Sequence, residues 1–154
     1  MVTERSTQLE RILTALGGAV TGVLATLSGG QIRQRVVYFG YDDDLAIYFT
    51  SLRPSAKVAQ LRENPDVSFL VVRTDADPEE TEQVEVSGQA LILLDSAERQ
   101  RCLEATARSS RLVGNLIACG QTDRLECVQI VPRRVQYRRH GDLQRGIAPT
   151  VIQR

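Results

Sequence analysis

The sequence predicts a mainly β domain of the α+β class, an antiparallel sheet curled into a closed or nearly closed barrel with helices at its periphery. Three observations predict it. Short runs rich in Val, Ile, Thr, Tyr and Phe recur along the chain, bounded by Gly, Asp, Asn or Pro. Helical patterns are few and stand before, between and after these runs. The early strands are joined by short polar reversals, which favours antiparallel pairing, and closure then removes most exposed sheet edges.

In chain order, Thr7 and Glu10 read as a capping box, followed by Leu9, Ile12, Leu13 and Leu16 on one helical face and a stop at Gly17 and Gly18. Residues 21–27 read as a strand, Ser28-Gly29-Gly30 as a turn, and residues 31–41 as a second strand. Asp42-Asp43-Asp44 is a polar reversal, not a metal site. Residues 45–51 then form a third strand, hairpinned to the second. Ser55 caps a short helix that ends at Asn64-Pro65. Residues 67–73 are an apolar strand and 74–82 an acidic loop. Residues 83–94 form a long strand, with Gly88 as a bulge or bend. Asp95 and Glu98 open a helix to about residue 108. Residues 111–120 are ambiguous between helix and coil. The last strand is 125–138, with Pro132 demoting its middle to an edge or a bulge. The whole is one domain, 1–154, with a helical segment 1–19 and an irregular tail 141–154.

Composition narrows the chemistry. The chain of 154 residues carries 19 Lys+Arg against 19 Asp+Glu, so no bulk charge draws it to nucleic acid. No apolar run is long enough to span a bilayer, and residues 1–10 carry no signal-peptide core. The 3 cysteines, Cys102, Cys119 and Cys127, show neither disulfide-framework nor zinc spacing and read as core residues in a reducing, cytoplasmic setting. The single histidine, His140, reads as a solvated loop residue, and no metal site is expected. Tyr38, Tyr41 and Tyr48 read as barrel packing. Arg133, Arg134, Arg138 and Arg139 read as a solvated edge or the rim of an anion pocket. A chain so poor in catalytic side chains borrows its chemistry from a cofactor if it is an enzyme.

One constellation stands out. Alternation puts Arg33 and Arg35 on one strand face with Val37 and Phe39. Thr50 and Ser51 end the third strand, and Ser55-Ala56-Lys57 begins the short helix. Fixed cations, hydroxyls and free N–H groups at a helix start are what a phosphomonoester needs.

The ordered series of segments resembles the pyridoxamine 5′-phosphate oxidase-like FMN-binding split barrels. The similarity runs through Gly22-Val23-Leu24-Ala25-Thr26-Leu27, Arg33, Arg35-Val36-Val37-Tyr38-Phe39 and Ile47-Tyr48-Phe49-Thr50-Ser51. It continues in Ser55-Ala56-Lys57, Leu61, Asn64-Pro65-Asp66-Val67, Gln83-Val84-Glu85-Val86-Ser87-Gly88, Val131-Pro132 and Val135-Gln136-Tyr137. The resemblance implies an antiparallel split β-barrel, FMN as cofactor, and a homodimer with flavin at the subunit interface. It implies a flavin-dependent oxidoreductase whose partner is a small-molecule electron donor or acceptor. Arg33 and Arg35, with Val36, Val37, Tyr38 and Phe39, would contact the flavin and its phosphate. Thr50, Ser51, Ser55 and Lys57 would hold the phosphate region, and Gln83 would reach the flavin ring across the interface. No catalytic residue is identified. Related proteins of the fold bind deazaflavin F420 or haem, and a flavin-binding sensor without turnover is a further alternative. Gly40 stands where the true oxidase has a basic residue. The chain has no tryptophan, and Arg138-x-His140 matches the oxidase's Arg-x-His letters without their surroundings. Pyridoxamine phosphate is therefore not the expected substrate.

Overall fold

A computed structural model describes residues 3–154; Met1 and Val2, the start of the expected helical segment 1–19, lie outside the described residues. The chain opens with helix α1 (Glu4–Gly17), then strands β1 (Thr21–Ser28), β2 (Gln31–Tyr38), β3 (Gly40–Tyr41) and β4 (Ile47–Leu52). Helix α2 (Ala56–Glu63) leads into β5 (Asp66–Arg73), and β6 (Glu82–Leu93) follows a short 3₁₀ turn. Helices α3 (Ser96–Ala107) and α4 (Arg111–Ala118) precede β7 (Leu125–Arg139), α5 (His140–Gln144) and β8 (Thr150–Gln153).

The strands form one 8-stranded antiparallel sheet in the order β2-β1-β5-β6-β7-β4-β3, with β8 added to β7. Curling brings the two ends of this path together. The stretch 31–41 pairs along its first part with β1, breaks at Phe39, and pairs at Gly40 and Tyr41 with β4. Beyond that crossing, β2 and β4 have no ladder between them. This is the split of the barrel.

Alternation fixes what lies inside. Leu24 of β1, Phe69 of β5, Val84 and Val86 of β6, and Ile130 and Val135 of β7 fill the barrel, and Ile12 and Leu16 of α1 pack onto the same core. Phe39 and Phe69 meet edge-on with centroids 5.4 Å apart. A second core lies on the outer face of β4 and β7 beneath α3 and α4, where Tyr48, Leu93, Cys102, Leu116 and Cys127 come together.

Several expectations are corrected. Helix α1 starts three residues before the expected box, because the Thr3 hydroxyl accepts from the Ser6 N–H and Thr7 Oγ1 merely donates back to the Thr3 carbonyl. Residues 111–120 do contain a helix, capped by Ser110. The tail 141–154 is not irregular: it holds α5 and β8, and β8 pairs with β7 from Arg134↔Gln153 to Tyr137↔Thr150. β7 is no edge, since β6, β4 and β8 all pair with it; Pro132 sits opposite Gly88 at the register shift between Ser87 and Gly88, so the bulge alternative is the right one. Cys119 is exposed, unlike Cys102 and Cys127. Tyr38 is 54% exposed and does not pack the barrel. His140 is half-buried at the start of α5, its N–H bonded to the Thr81 carbonyl. Arg133 and Arg139 are in ion pairs, with Asp66 and with Glu80 and Asp142 respectively.

Candidate phosphate and cofactor cleft

The site is built where the barrel splits. β2 contributes Val36, Val37 and Tyr38, and β4 contributes Thr50, Ser51 and Leu52. With Lys57 of α2, Ser110, Leu112 of α4 and Leu125 of β7, they line a cleft of about 170 Å³. The split brings β2 and β4 to opposite walls of one cleft, which a continuous hairpin ladder would have closed.

The short helix α2 supplies the polar end. The Ser55 hydroxyl accepts from the Val58 N–H at 3.3 Å and from the Ser51 hydroxyl at 2.8 Å. That cap satisfies one donor of the first turn and leaves the Ala56 and Lys57 N–H groups with no acceptor within the helix. Their partial positive charge lies at the same end as the Lys57 ammonium.

Three cations gather at this end. Among the described residues none of Arg33, Arg35 and Lys57 is in an ion pair, a condition they share with other arginines such as Arg101, Arg111 and Arg134; what sets them apart is that they stand together. Burial, and then the Arg35 guanidinium beside it, hold the Lys57 ammonium below the usual lysine range. Burial and then Arg33 lower Arg35 in the same direction. Arg35 is fixed by neutral groups, donating to Thr26 Oγ1 at 2.7 Å and Gln60 Oε1 at 2.5 Å. Arg33 is exposed and donates to Gln31 Oε1 at 3.0 Å. Like charges held together without a counter-ion are costly, and a bound anion removes that cost.

The expected site residues thus divide. Val36, Val37, Tyr38, Thr50, Ser51 and Lys57 meet in the cleft, with Ser55 capping the helix beneath it and Arg35 beside Lys57. Phe39 lies away from the cleft: its ring is in the core, its N–H is bonded to the Val20 carbonyl, and its carbonyl accepts from Ser109 Oγ at 2.7 Å. Gln83 does not line this chain's cleft; it opens β6, opposite Arg138 in the ladder, with Oε1 3.4 Å from His140 Nε2. Gly40, where the true oxidase has a basic residue, has no room for a side chain: a Cβ there would collide with the Ala105 carbonyl oxygen.

Thr26, Gln60, Ser110 and Leu112 escaped the sequence reading. Gln60 follows Lys57 by three positions, a spacing that shares a helix face and could have marked it. Ser110 and Leu112 lie 47 and 49 residues beyond the end of α2 at Glu63, and only the packing of α4 brings them in. A larger hollow, about 610 Å³, lies between the start of α1 and β8, but it sets Glu4 beside Arg5 and gathers no net charge.

The family model of pyridoxamine 5′-phosphate oxidase matches residues 9–139. The chain belongs to this family. Several solved structures share the fold at low identity. A haem-binding protein from Mycobacterium smegmatis is 17% identical with a TM-score of 0.75, over 95% of this chain and 57% of that one, so the present chain spans little more than half of it. General stress protein 26 from Bacillus anthracis is 22% identical with a TM-score of 0.68, over 95% and 98%. An FAD-binding protein from Mesorhizobium loti is 20% identical with a TM-score of 0.64, over 83% and 90%. A comparison with curated proteins gives no match. The split barrel with peripheral helices is therefore the family's fold. Among the described residues no helix is long and apolar enough to cross a membrane, and no cluster of three metal-ligating side chains is present.

Proposed function

We propose that the protein binds FMN between two copies of the chain and passes electrons between the flavin and a small-molecule donor or acceptor. The observation that carries this reading is the group of unpaired cations at the start of α2. Arg35 and Lys57 stand there without a carboxylate, beside the Ser51 hydroxyl and the unbonded N–H groups of Ala56 and Lys57. A phosphomonoester supplies the missing negative charge and the acceptors. Val36, Val37, Tyr38 and Leu112 would take the less polar part of the ligand, and Thr50 would stand at its flank. The bound flavin supplies the redox chemistry; the side chains hold and orient it.

A cleft of about 170 Å³ is small against the roughly 300–1,000 Å³ of cofactor pockets. It holds one end of such a ligand, and its outer wall is missing. Val36 is 68% and Tyr38 54% exposed, and with Ile32, Leu27 and Val72 they form an apolar outer face on β2, β1 and β5. A second copy laid on this face would complete the wall and bring its Gln83, on the same side of the sheet, toward the flavin. Pyridoxamine phosphate is not the proposed substrate, because the chain has no tryptophan and the residues around Arg138-x-His140 do not match the oxidase's closing segment. Haem would need His140 as its axial ligand, and deazaflavin carries its charges differently, so the absorption spectrum of the purified protein separates the three. A flavin spectrum that bleaches on anaerobic mixing with a nicotinamide nucleotide supports turnover over a sensor role. The phosphate anchor is tested by Lys57→Ala. FMN binding should weaken by about 1.5–3 kcal/mol, the scale of a hydrogen bond to a charged group, and riboflavin binding far less. Equal losses for both ligands would remove Lys57 from this role.

A further inference from the structure

The Arg35 guanidinium is held in a closed triangle of neutral partners. Nη1 donates to Thr26 Oγ1 at 2.7 Å, Nη2 donates to Gln60 Oε1 at 2.5 Å, and the Thr26 hydroxyl donates to the same Gln60 oxygen at 3.3 Å. The corners come from β2, β1 and α2, so the triangle ties the sheet to the helix that carries Lys57. Thr26 is only 2% exposed, which keeps water from its inner corner. In such a place a carboxylate would fix a guanidinium more firmly, as Glu82 does for Arg73. α2 does carry a carboxylate, Glu63, but it accepts from Ser28 Oγ at 2.7 Å. An amide oxygen orients the guanidinium and leaves its net charge whole. A carboxylate at the same position would orient it and cancel the charge felt by any anion nearby.

We propose that Gln60 is a positioning residue that sets the cleft's preference for a phosphorylated ligand, because its neutral oxygen aims Arg35 without neutralising it. The inference rests on reading Arg35 and Lys57 as the phosphate anchors. Gln60 acts through Arg35 and needs no contact with the ligand. Gln60→Glu keeps the size and the acceptor but adds the cancelling charge. Gln60→Met keeps the size and removes the acceptor.

The test titrates flavin-free wild type and both variants with FMN and with riboflavin, following flavin fluorescence, at low and high salt. The unfolding midpoint of each ligand-free protein is measured alongside. Gln60→Glu should lose at least about tenfold of the FMN-over-riboflavin preference, show a shallower salt dependence, and unfold no earlier than wild type, because the new carboxylate pairs with Arg35. Gln60→Met should keep more of the preference, since the charge remains. A merely structural role would instead rank the variants by stability. The inference is overturned if Gln60→Glu keeps the wild-type preference, if it unfolds well below wild type, or if Gln60→Met either keeps the whole wild-type preference or loses as much as Gln60→Glu. Wild-type protein that takes FMN no better than riboflavin defeats the phosphate reading itself, an outcome separate from these three.

Discussion

Tyr48 shows how a single side chain couples two layers of the protein. It sits in the second core, donates to Asp42 Oδ2 at 2.9 Å, and accepts from Gln129 Nε2 at 3.3 Å. The Asp42 carboxylate also takes the Asp44 and Ala46 N–H groups, so the reversal between β3 and β4 is tied to the strand it launches. Burial first, and then the hydrogen bond to Asp42, push the Tyr48 hydroxyl up to about 12. An unfolded tyrosine titrates near 10. The folded state therefore holds this proton more tightly, and its contribution to stability is complete below about pH 10 and is lost as pH rises toward 12. Tyr137, raised in the same direction by burial and Glu82, adds to the slope. Stability measured by urea unfolding should fall over that window, and Tyr48→Phe should flatten the fall in part. An unchanged alkaline slope in the variant would show that Tyr48 titrates normally. At this scale the sequence was informative where the chemistry is local: Arg35, Ser55 and Lys57 announce themselves by type and position. Gln60 and Thr26 do not, because a glutamine and a threonine take on meaning only from the guanidinium between them.

Among the elements, the pair β6–β7 decides the most. It is the longest ladder of the sheet, and its register shifts once, between Ser87 and Gly88. There the strands come so close that a Cβ on Gly88 would lie 2.0 Å from the Val131 carbonyl oxygen, a backbone atom that cannot rotate away. Gly88→Ala should thus destabilise by about 1–3 kcal/mol, the usual cost of overpacking, read as a lower urea midpoint with an unchanged slope. A variant as stable as wild type would mean that the bulge is wider than described. The glycine and the proline each signalled an irregularity in the sequence, and the structure places them opposite one another. What the sequence left open was which strand is the edge. Pro132 suggested β7, yet β7 is central: β6 and β4 both pair with it, the register skips Arg133 beside Pro132, and β8, from a segment with no readable period, adds itself further along.

For the whole molecule the outer face of β2, β1 and β5 matters most. Ile32 is 74% exposed and registered opposite Leu27, another exposed apolar residue. Exposed apolar residues paired in this way suit the face that the proposed dimer would cover. Ile32 does not line the cleft, so it separates assembly from ligand contact. In the proposed dimer Ile32→Glu should leave the chain folded, shift sedimentation from dimer to monomer, and weaken FMN binding through loss of the partner's wall. A variant that remains dimeric would place the interface elsewhere, and a monomer that keeps FMN tightly would show that one chain suffices.

The class of fold, the strands as far as β7, an irregularity at Gly88 and the cationic helix start were determined by the sequence, since each rests on alternation, turn chemistry or capping within a dozen residues. The tertiary structure alone decided that the barrel splits between β2 and β4, because the stretch 31–41 changes partner at Phe39, and that change depends on which strands curl round to meet it. It alone removed Phe39 from the cleft, brought Ser110 and Leu112 to its wall, and left Gln83 outside it. Those outcomes depend on contacts between segments distant in sequence, whose positions are set by the packing of two cores and carry no local signature.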